Sequence, residues 1–526
     1  MSQRKAKGCL IASLLWCVIL VILGAAYKFL VHPSLSKKLT EETGSASQYR
    51  ETVRLAADSF SGYAIFRSDR MKETLRQDGI KLDLHDDGAD YEARIEALRN
   101  GETDLAVFTI DSYLAAGTRA GDFPGSIVLI IDETKGGDAI VAKPSAIQSL
   151  QDLNDPNARI VFTANSPSEF LARVVLAHFN LPDLPENWAQ GADGPQAVLR
   201  AAQEAGSTDK RAFVLWEPYV ARAVNDHGHR ILLDSSKLEG YIVDVLVAQR
   251  SFLRDHPDRV ASVLQAYLRA AFHYSQSDNA LVELVQEDAA RTGSERLTPA
   301  QAQRVVDGIQ WKNTLENYAH FGVNPRDQED KVPHLEDIIM NIVDVLVKTQ
   351  AIPQDPLAGR YHTLFYQKTL SDLKADDFHP SRNLNVVAGL GSSPESVETV
   401  RVTEEAKAIS ETEWTQLRPV GELSIKPLVF VRGSANISIT SRRDLSALAK
   451  KLKSFPEFYV RLIGQTRSEG DTDANRRLAE QRATAVSEQL IAAGIGSQRI
   501  RTEATPSIDR AGAAQSVRFV VGQLPY

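Results

Sequence analysis

The stretch SLQDLNDPNARIVFTANSPSEFLARVVLAHFNL, residues 149–181, decides the fold that we expect for this chain. The apolar run at residues 160–162 is typical of a buried strand, and a polar loop follows it. Ser166, Pro167 and Glu169 then predict a helix start, with Ser166 as the cap and Glu169 reaching back to it. Apolar residues at helical spacing predict one buried helix face: Phe170, Leu171, Val174, Val175 and Phe179.

The junction between this strand and this helix is a candidate ligand site. Backbone N–H groups at a helix N-terminus are free to bind small anions or polar ligands. Ser166 and Ser168 are the candidate contacts here. The alternative is that Ser166 only caps its helix.

Three later segments give the resemblance that extends this reading. They are FVLWEPY at residues 213–219, YIVDVLVAQR at 241–250 and FLRDHPDRVASVLQAYLRAA at 252–271. Together with residues 149–181, they make residues 52–373 resemble the solute-binding proteins of nitrate, sulfonate and taurine ABC transporters. The resemblance implies an α/β, two-lobed, type II periplasmic-binding-protein fold that closes over a small solute.

The alternation of strands and helices predicts mainly parallel sheets that bind ligands beyond the C-terminal strand ends. We expect a solute-binding region at residues 50–375, with lobe I at 52–139 and 244–375 and lobe II at 140–243. The candidate ligand-binding residues lie at or near the strand ends: Ser59, Ser61, Gly62, Tyr63, Thr109, Asp111, Ser166, Ser168, Trp216, Glu217 and Asp244.

The candidate residues do not agree on one ligand chemistry. The resemblance suggests a small anion or a small heterocycle as the solute. Asp111, Glu217 and Asp244 bring negative charge near the cleft, which weakens the case for a simple anion and leaves an amine-bearing or heterocyclic solute open. Tyr63 and Trp216 either form a wall against the ligand or only pack in the core.

The first residues predict a membrane anchor. Arg4, Lys5 and Lys7 precede an uncharged run at residues 8–27, which is long enough to cross a bilayer. Positive charge on the N-terminal side predicts that this end stays in the cytoplasm. We therefore expect a cytoplasmic stub and transmembrane helix at residues 1–31, a single pass through a bacterial inner membrane, a periplasmic body and an inner-membrane protein partner. The alternative is a cleaved signal peptide.

The C-terminal part predicts a second unit. Residues 376–420 are expected to form a linker with one short helix at 403–411, and residues 421–526 a separate β/α unit with a first strand at 423–431. This unit resembles the OmpA C-terminal peptidoglycan-binding domain, an OmpA-like β/α sandwich also found in flagellar stator B proteins. The resemblance is carried by residues 433–435, Gly464-Gln465-Thr466 and Arg482-Ala483.

The function of the OmpA family transfers less completely than its fold. The resemblance implies Thr466, Asn475 and Arg482 as peptidoglycan-binding residues. The family's ligand-binding Asp is replaced by Arg467, which reverses the charge, and Glu469 or Asp471 are candidate replacements. Peptidoglycan binding and a domain reused for protein contacts both remain open.

Composition excludes several classes of protein. Apolar content of 43% and charged content of 24% are those of a globular protein, and a net charge of −8 argues against nucleic-acid binding. Both cysteines lie in the N-terminal run, so the body has neither a disulfide framework nor cysteine-ligated zinc. The nucleotide-binding, serine-hydrolase and zinc-protease motifs are absent. We expect no enzyme activity, no cofactor and no metal; a solute-binding protein is the leading hypothesis and a structural scaffold of an envelope complex the alternative.

Overall fold

The computed structural model describes residues 49–293, 296–323, 332–381, 398–465, 470–505 and 517–526. The strands among them are β1 (Glu51–Ala57), β2 (Ile80–Asp86), β3 (Leu105–Thr109), β4 (Gly125–Thr134), β5 (Asp138–Ala142), β6 (Arg159–Thr163), β7 (Ala189–Ala192), β8 (Arg211–Trp216), β9 (Arg230–Asp234), β10 (Val243–Gln249), β11 (Ile309–Trp311), β12 (Arg418–Glu422), β13 (Tyr459–Gly464), β14 (Ile500–Ala504) and β15 (Val517–Gln523).

The helices in the same residues are α1 (Ala64–Arg67), α2 (Asp69–Gln77), α3 (Tyr91–Asn100), α4 (Ile110–Ala120), α5 (Pro167–His178), α6 (Pro195–Gln203), α7 (Tyr219–Asn225), α8 (Arg250–Asp255), α9 (Pro257–Ser275), α10 (Asp278–Thr292), α11 (Pro299–Asp307), α12 (Thr314–His320), α13 (Leu335–Lys348), α14 (Lys368–Ala375), α15 (Glu411–Gln416), α16 (Ile439–Lys453) and α17 (Thr472–Ala492).

The first part of the chain forms two separate sheets, which are the cores of two lobes. The six-stranded sheet of the first lobe has the order β11-β4-β10-β3-β1-β2, and the five-stranded sheet of the second lobe has the order β7-β6-β8-β5-β9. The chain passes from the first sheet to the second between β4 and β5 and returns between β9 and β10. Two short crossings of this kind allow the lobes to move as a hinge.

The prediction of mainly parallel sheets is wrong. β1 pairs in parallel with β2 and β3, but β10 runs antiparallel to both β3 and β4. In the second sheet, β5 likewise runs antiparallel to both β8 and β9. The reason is the crossing topology: β5 and β10 are the strands by which the chain enters each lobe from the other, and they run against their neighbours. The lobes are therefore mixed α/β.

Residues 149–181 form the predicted strand and helix, with two local differences. Pro167 occupies the first helical turn, but the Ser166 hydroxyl donates to the Thr163 carbonyl oxygen at 2.6 Å instead of capping the helix. The Glu169 carboxylate accepts the N–H of Asn165 at 2.9 Å. The helix ends at His178, and Phe179 is extended because it pairs with the C-terminal part of the chain.

The helices after the return to the first lobe begin where the sequence predicts. Pro257 opens α9, and Thr298 caps α11 through a reciprocal capping box with Gln301. The His334 side chain accepts the N–H of Glu336 at the start of α13. These helices bury apolar faces, and such faces produce the periodic apolar pattern that predicts them from the sequence.

The predicted membrane anchor lies outside the described residues, which begin at residue 49. Within the described part of the chain, every helix is too short or too polar to span a bilayer.

The C-terminal unit is a four-stranded sheet of order β12-β15-β13-β14 with α16 and α17. Its sheet begins at Arg418, inside the predicted linker, and the strand predicted at residues 423–431 is absent. After Glu422 the chain leaves this sheet, because Leu423 and Ser424 pair with the second lobe at Phe179 and His178. Pro427, later in the segment, has no N–H to donate to a sheet. The short helix predicted at 403–411 is found instead at Glu411–Gln416, capped by Ser410.

The C-terminal unit packs directly on the lobes. Leu423 forms a β-bridge with Phe179, flanked by hydrogen bonds from the Asn180 N–H to the Glu422 oxygen (2.8 Å) and from the Ser424 N–H to the His178 oxygen (2.7 Å). We call the lobe residues in this contact the docking surface: Gln151, His178, Phe179, Asn180, residues 232–241 and Asp344.

Candidate ligand-binding cleft

A cavity of about 830 Å³ lies between the two lobes. It is lined by the chain segments that follow β1, β3, β6 and β8, which are the strand ends that the sequence indicates. Eight of the eleven predicted ligand-binding residues lie on its wall: Ser59, Ser61, Tyr63, Thr109, Ser166, Trp216, Glu217 and Asp244.

Gly62, Asp111 and Ser168 do not line the cavity. Gly62 is packed so closely that an added Cβ would lie 2.4 Å from the Phe60 ring and 2.7 Å from an Asp132 oxygen. Asp111 and Ser168 are both buried near the starts of their helices, α4 and α5. Their expected direct contact with a ligand remains a prediction, and the structure places them behind the wall.

Tyr63 connects the first lobe to the return strand. Its hydroxyl donates to Asp244 Oδ1, and its ring meets Phe60 edge to face at 5.3 Å. The Trp311 indole N–H donates to the Gly62 carbonyl oxygen at 2.8 Å, which holds this loop against the strand β11. The aromatic wall is thus fixed by packing and by hydrogen bonds, and Tyr63 both packs in the core and lines the cavity.

The second lobe contributes Trp216 and Glu217 at the end of β8. Trp216 meets Tyr219 edge to face at 6.3 Å, and Glu217 Oε2 accepts the N–H of Ala221 at 3.3 Å. The Glu217–Pro218 peptide bond is cis. Burial raises the pKa of Glu217, while Arg304 of the first lobe acts in the opposite direction.

Carboxyl groups occupy both crossings between the lobes. Asp138 begins β5 directly after the first crossing, and Asp244 lies in β10 directly after the second. Asp244 is paired in register with Asp132 of β4. Neither oxygen of Asp132 has a hydrogen-bond partner within the part of the chain that the structure describes, and the residue is fully buried.

Burial in this region favours the neutral form of the acids. It raises the pKa of Asp138 to about 7, with Asp111 adding repulsion. Burial raises the pKa of Asp132 to about 7, with Asp244 and Lys312 acting in the opposite direction. Burial and repulsion from Asp132 together raise the pKa of Asp244 well above its ordinary value. Burial also raises the pKa of Asp111 to about 7. Perturbed acids in a cleft mark a candidate functional site.

Sequence reasoning missed three charged residues that shape the cleft: Arg94, Asp132 and Asp138. Arg94 Nε donates to Asp87 at 2.6 Å, and its Nη2 donates to Asp58 at 3.2 Å. Asp58, on the cavity wall, therefore already has a cationic partner. The available signal was a charged residue on the otherwise apolar helix face formed by Tyr91, Ile95 and Leu98.

The predicted peptidoglycan site in the C-terminal unit is only partly described. Thr466, Arg467 and Glu469 lie outside the described residues. Arg482 is 2% exposed, its Nε donates to the Ser434 carbonyl oxygen at 3.2 Å, and its guanidinium lies 4.9 Å from the centre of the Phe430 ring. Burial lowers the pKa of Arg482. The guanidinium is thus engaged inside the domain, and its role toward peptidoglycan remains a prediction.

Asp471 and Gly464, two residues near the predicted peptidoglycan site, have structural roles. Asn475 lies in the first turn of α17, and the Asp471 carboxylate caps that helix by accepting the N–H groups of Asp473 (2.9 Å) and Ala474 (3.0 Å). A Cβ at Gly464 would lie 2.1 Å from the Ala479 carbonyl oxygen. Glycine at this position therefore allows β13 to pack on α17.

The described residues contain no cluster of His, Cys, Asp and Glu side chains suited to hold a metal ion.

Two family models match this chain. Residues 68–286 match the NMT1-like family, and residues 429–516 match the OmpA family. A curated relative, described as the probable lipoprotein YiaD of Escherichia coli (strain K12), is 38% identical over 76 residues, which are 14% of this chain. The match spans about a third of that relative, 35% of its length.

Several solved structures are similar to part of this chain. The alkanesulfonate-binding protein SsuA from Xanthomonas axonopodis pv. citri, bound to MOPS, is 19% identical with a TM-score of 0.43, covering 58% of this chain and 96% of its own. The periplasmic aliphatic sulphonate binding protein SsuA from Escherichia coli is 18% identical with a TM-score of 0.45, covering 61% and 99%. The desulfurization enzyme DSZB is 14% identical with a TM-score of 0.41, covering 62% and 100%.

The family matches fall on the two parts of the chain that the sequence resemblances indicate. The chain therefore joins an NMT1-like region, which contributes to both lobes and to the cavity, to a C-terminal OmpA-family domain.

Proposed function

We propose that this protein is a periplasmic solute-binding protein, held in the inner membrane by residues 1–31, that captures a small solute between its lobes for ABC-type uptake or for sensing. One observation carries this proposal: eight residues expected from the sequence to bind a ligand converge from both lobes on one cavity of about 830 Å³. Cavities of this size suit small organic ligands.

Closure of the lobes is the expected response to the solute. Tyr63 and Asp244 belong to the first lobe, and Trp216 and Glu217 to the second, so a ligand that contacts both sets draws the lobes together. A thermal-shift screen of the full chain against nitrate, sulfonates, amines and heterocycles tests the proposal. Stabilisation by at least one class is expected, and no stabilisation by any of them would contradict solute capture.

Membrane attachment and cell-wall docking need their own tests. A topology reporter fused after Tyr526 is expected to be active in the periplasm, and activity in the cytosol would overturn the proposed orientation. Wild-type protein is expected to sediment with peptidoglycan and an Arg482→Ala variant to sediment less. Equal sedimentation of the two would remove Arg482 from the interaction.

The docking surface favours a second candidate function, a scaffold in an envelope complex. The OmpA-family domain contacts the second lobe through Phe179 and the first lobe through Asp344, whose carboxylate lies 2.7 Å from Lys451 Nζ. A domain fixed to both lobes suits a rigid link between membrane and wall. Crosslinked protein partners in the absence of any stabilising solute would favour this alternative.

A further inference from the structure

The cavity wall is rich in acids and lacks a cationic counterpart. Its described lining contains no Lys, Arg or His, whereas five carboxyl groups face it: Asp58, Asp138, Asp193, Glu217 and Asp244. Aromatic side chains form much of the remaining wall: Phe60, Tyr63, Tyr91, Trp216 and Tyr219.

Two of these acids already have cations nearby. Asp58 is bound by Arg94 at 3.2 Å, and Glu217 faces Arg304 across the cleft. Asp193 is exposed at the rim. The acids that are both buried and without a cation of their own are Asp138 and Asp244, one at each crossing between the lobes.

The surroundings of these two acids do not supply the missing charge. Asp138 faces the Thr134 hydroxyl and the acid Asp111. Asp244 accepts a hydrogen bond from the Tyr63 hydroxyl and faces Asp132 and Asp58.

The lysine that acts on Asp132, behind Asp244, is Lys312. Lys312 is already bound to Glu133 at 2.8 Å, and Glu133 also holds Lys135 at 3.1 Å. Among the described residues that line the cavity, the buried acids at the crossings therefore have no basic side chain beside them.

We propose that the solute of this cleft is an organic cation, an amine whose positive group is held by Asp138 and Asp244, with Asp132 behind them, and whose body packs against Tyr63 and Trp216. This inference rests on the proposed solute-binding function and names its ligand class. A buried carboxyl group that ionises is stabilised by a nearby positive charge, and aromatic faces also attract cations.

The opposing feature is the start of α5, which reaches the cavity at Ser166 and Pro167. A helix N-terminus carries roughly half a positive charge and favours an anion. Here Glu169 in the first turn already accepts the N–H of Asn165, which places a negative charge at this helix end. The two buried acids outweigh the remaining partial positive charge of the helix N-terminus, so a cationic solute is favoured.

A cation also explains how binding would close the lobes. Asp138 and Asp244 enter the cleft from the two different crossings, and a shared ammonium group would attract both. When no cation is bound, burial favours the neutral forms of both acids, up to about pH 7 for Asp138. Amine binding should therefore release protons and strengthen as the pH rises.

The test is calorimetric titration of the full chain with ethanolamine, putrescine and choline, and with ethanesulfonate and nitrate as anionic probes and uracil as a neutral one. At least one amine should bind, more tightly at about pH 8 than at about pH 5. Asp244→Asn and Asp138→Asn should each weaken the affinity for the amine roughly tenfold or more, since each removes a charge-assisted contact. Asp122→Asn, which changes an acid side chain that is 58% exposed, is the control.

The outcomes separate this proposal from the one it rests on. Binding of an anion or of uracil without any amine would overturn the cation but keep solute capture. Anion affinity that falls with rising pH would show that the protonated acids donate hydrogen bonds to the anion, and it would likewise overturn the cation. Amine binding that is unchanged in both folded Asn variants would also overturn the proposal. No binding by any probe would contradict solute capture itself.

Discussion

The second lobe takes part in two surfaces, the cavity and the docking surface, and they differ in how their buried polar groups are satisfied. On the docking surface, backbone and side-chain groups are paired, as at Asn180, Ser424 and Gln523. Beside the cavity, the hydroxyls of Thr163 and Ser168 have no hydrogen-bond partner among the described residues. Because buried polar groups in proteins are nearly always paired, the first surface reads as structural and the second as a site for a ligand.

In the first lobe, buried charged groups show the same contrast between paired and unpaired groups. Arg94 is fully buried and bound by Asp58 and Asp87, whereas Asp132 is equally buried and its oxygens have no hydrogen-bond partner in the described chain. In the OmpA-family domain, Arg499 donates to the carbonyl oxygens of Phe455 and Phe458. Arg94 and Arg499 are thus satisfied inside their own domains, whereas Asp132 beside the cleft is not.

The largest expected effect is at the docking surface. Phe455 packs against His178 with ring centres 5.1 Å apart and against Tyr241 at 5.8 Å. Phe455→Ala should cost roughly 3–5 kcal/mol of unfolding free energy, because it leaves a cavity among buried rings. Denaturant unfolding and limited proteolysis between the domains would measure it. Val429→Ala, at a residue that is 60% exposed, is the matched control, and equal stability of the two variants would contradict the structural reading.

The next largest expected effect is on the pH dependence of stability, through the buried acid Asp138 beside the cavity. The pKa of Asp138 is about 7 in the folded protein, above its ordinary value, so the folded state binds more protons than the unfolded state. The stabilisation from the protonated acid is fully present below about pH 4 and is lost as the pH rises through about 7. Asp138→Asn should therefore stabilise the protein by about 1–3 kcal/mol near pH 8 and flatten its pH dependence. Thermal unfolding of both proteins across this range would measure it; destabilisation at high pH would contradict it.

A matched pair of buried serines sharpens the comparison. The Ser441 hydroxyl accepts the Val429 N–H at 2.9 Å, and the Ser168 hydroxyl has no described partner. Ser441→Ala should cost about 1 kcal/mol, and Ser168→Ala should change the unfolding free energy by less than about 0.5 kcal/mol or increase it. Chemical denaturation of the two variants measures both. A large loss at Ser168 would mean that its hydroxyl is satisfied in the folded protein without a solute.

The smallest expected effect is the ion pair between the OmpA-family domain and the first lobe. Lys451 and Asp344 are about one third exposed, at 29% and 38% of their side chains, so solvent weakens their attraction. A double-mutant cycle with Lys451→Gln and Asp344→Asn should give a coupling of about 0.5–1 kcal/mol that declines with salt. A coupling of zero at low salt would show that this contact does not join the domains.

Sequence patterns predicted the parts of this molecule that depend on local spacing. The strand ends that carry Tyr63, Thr109, Ser166 and Trp216 were placed correctly at one cavity, because chain direction and strand-helix order decide which loops meet. The Ser166 cap was wrong, since its hydroxyl found a nearby carbonyl oxygen instead. The prediction that Phe179 belongs to the helix was also wrong, because Leu423, far away in the chain, pairs with this residue.

By itself, the sequence determined that two lobes and an OmpA-like domain would form, since periodicity, capping residues and glycine positions act over a few residues. Only the tertiary structure decided that Asp132, Asp138 and Asp244 share one buried region and that Arg482 lies against Phe430. These relations depend on which strands become neighbours in a sheet and on what burial does to a charge. No local pattern carries that information, because Asp244 lies more than a hundred residues from Asp132 and Asp138 in the chain and Arg482 is far in sequence from Phe430.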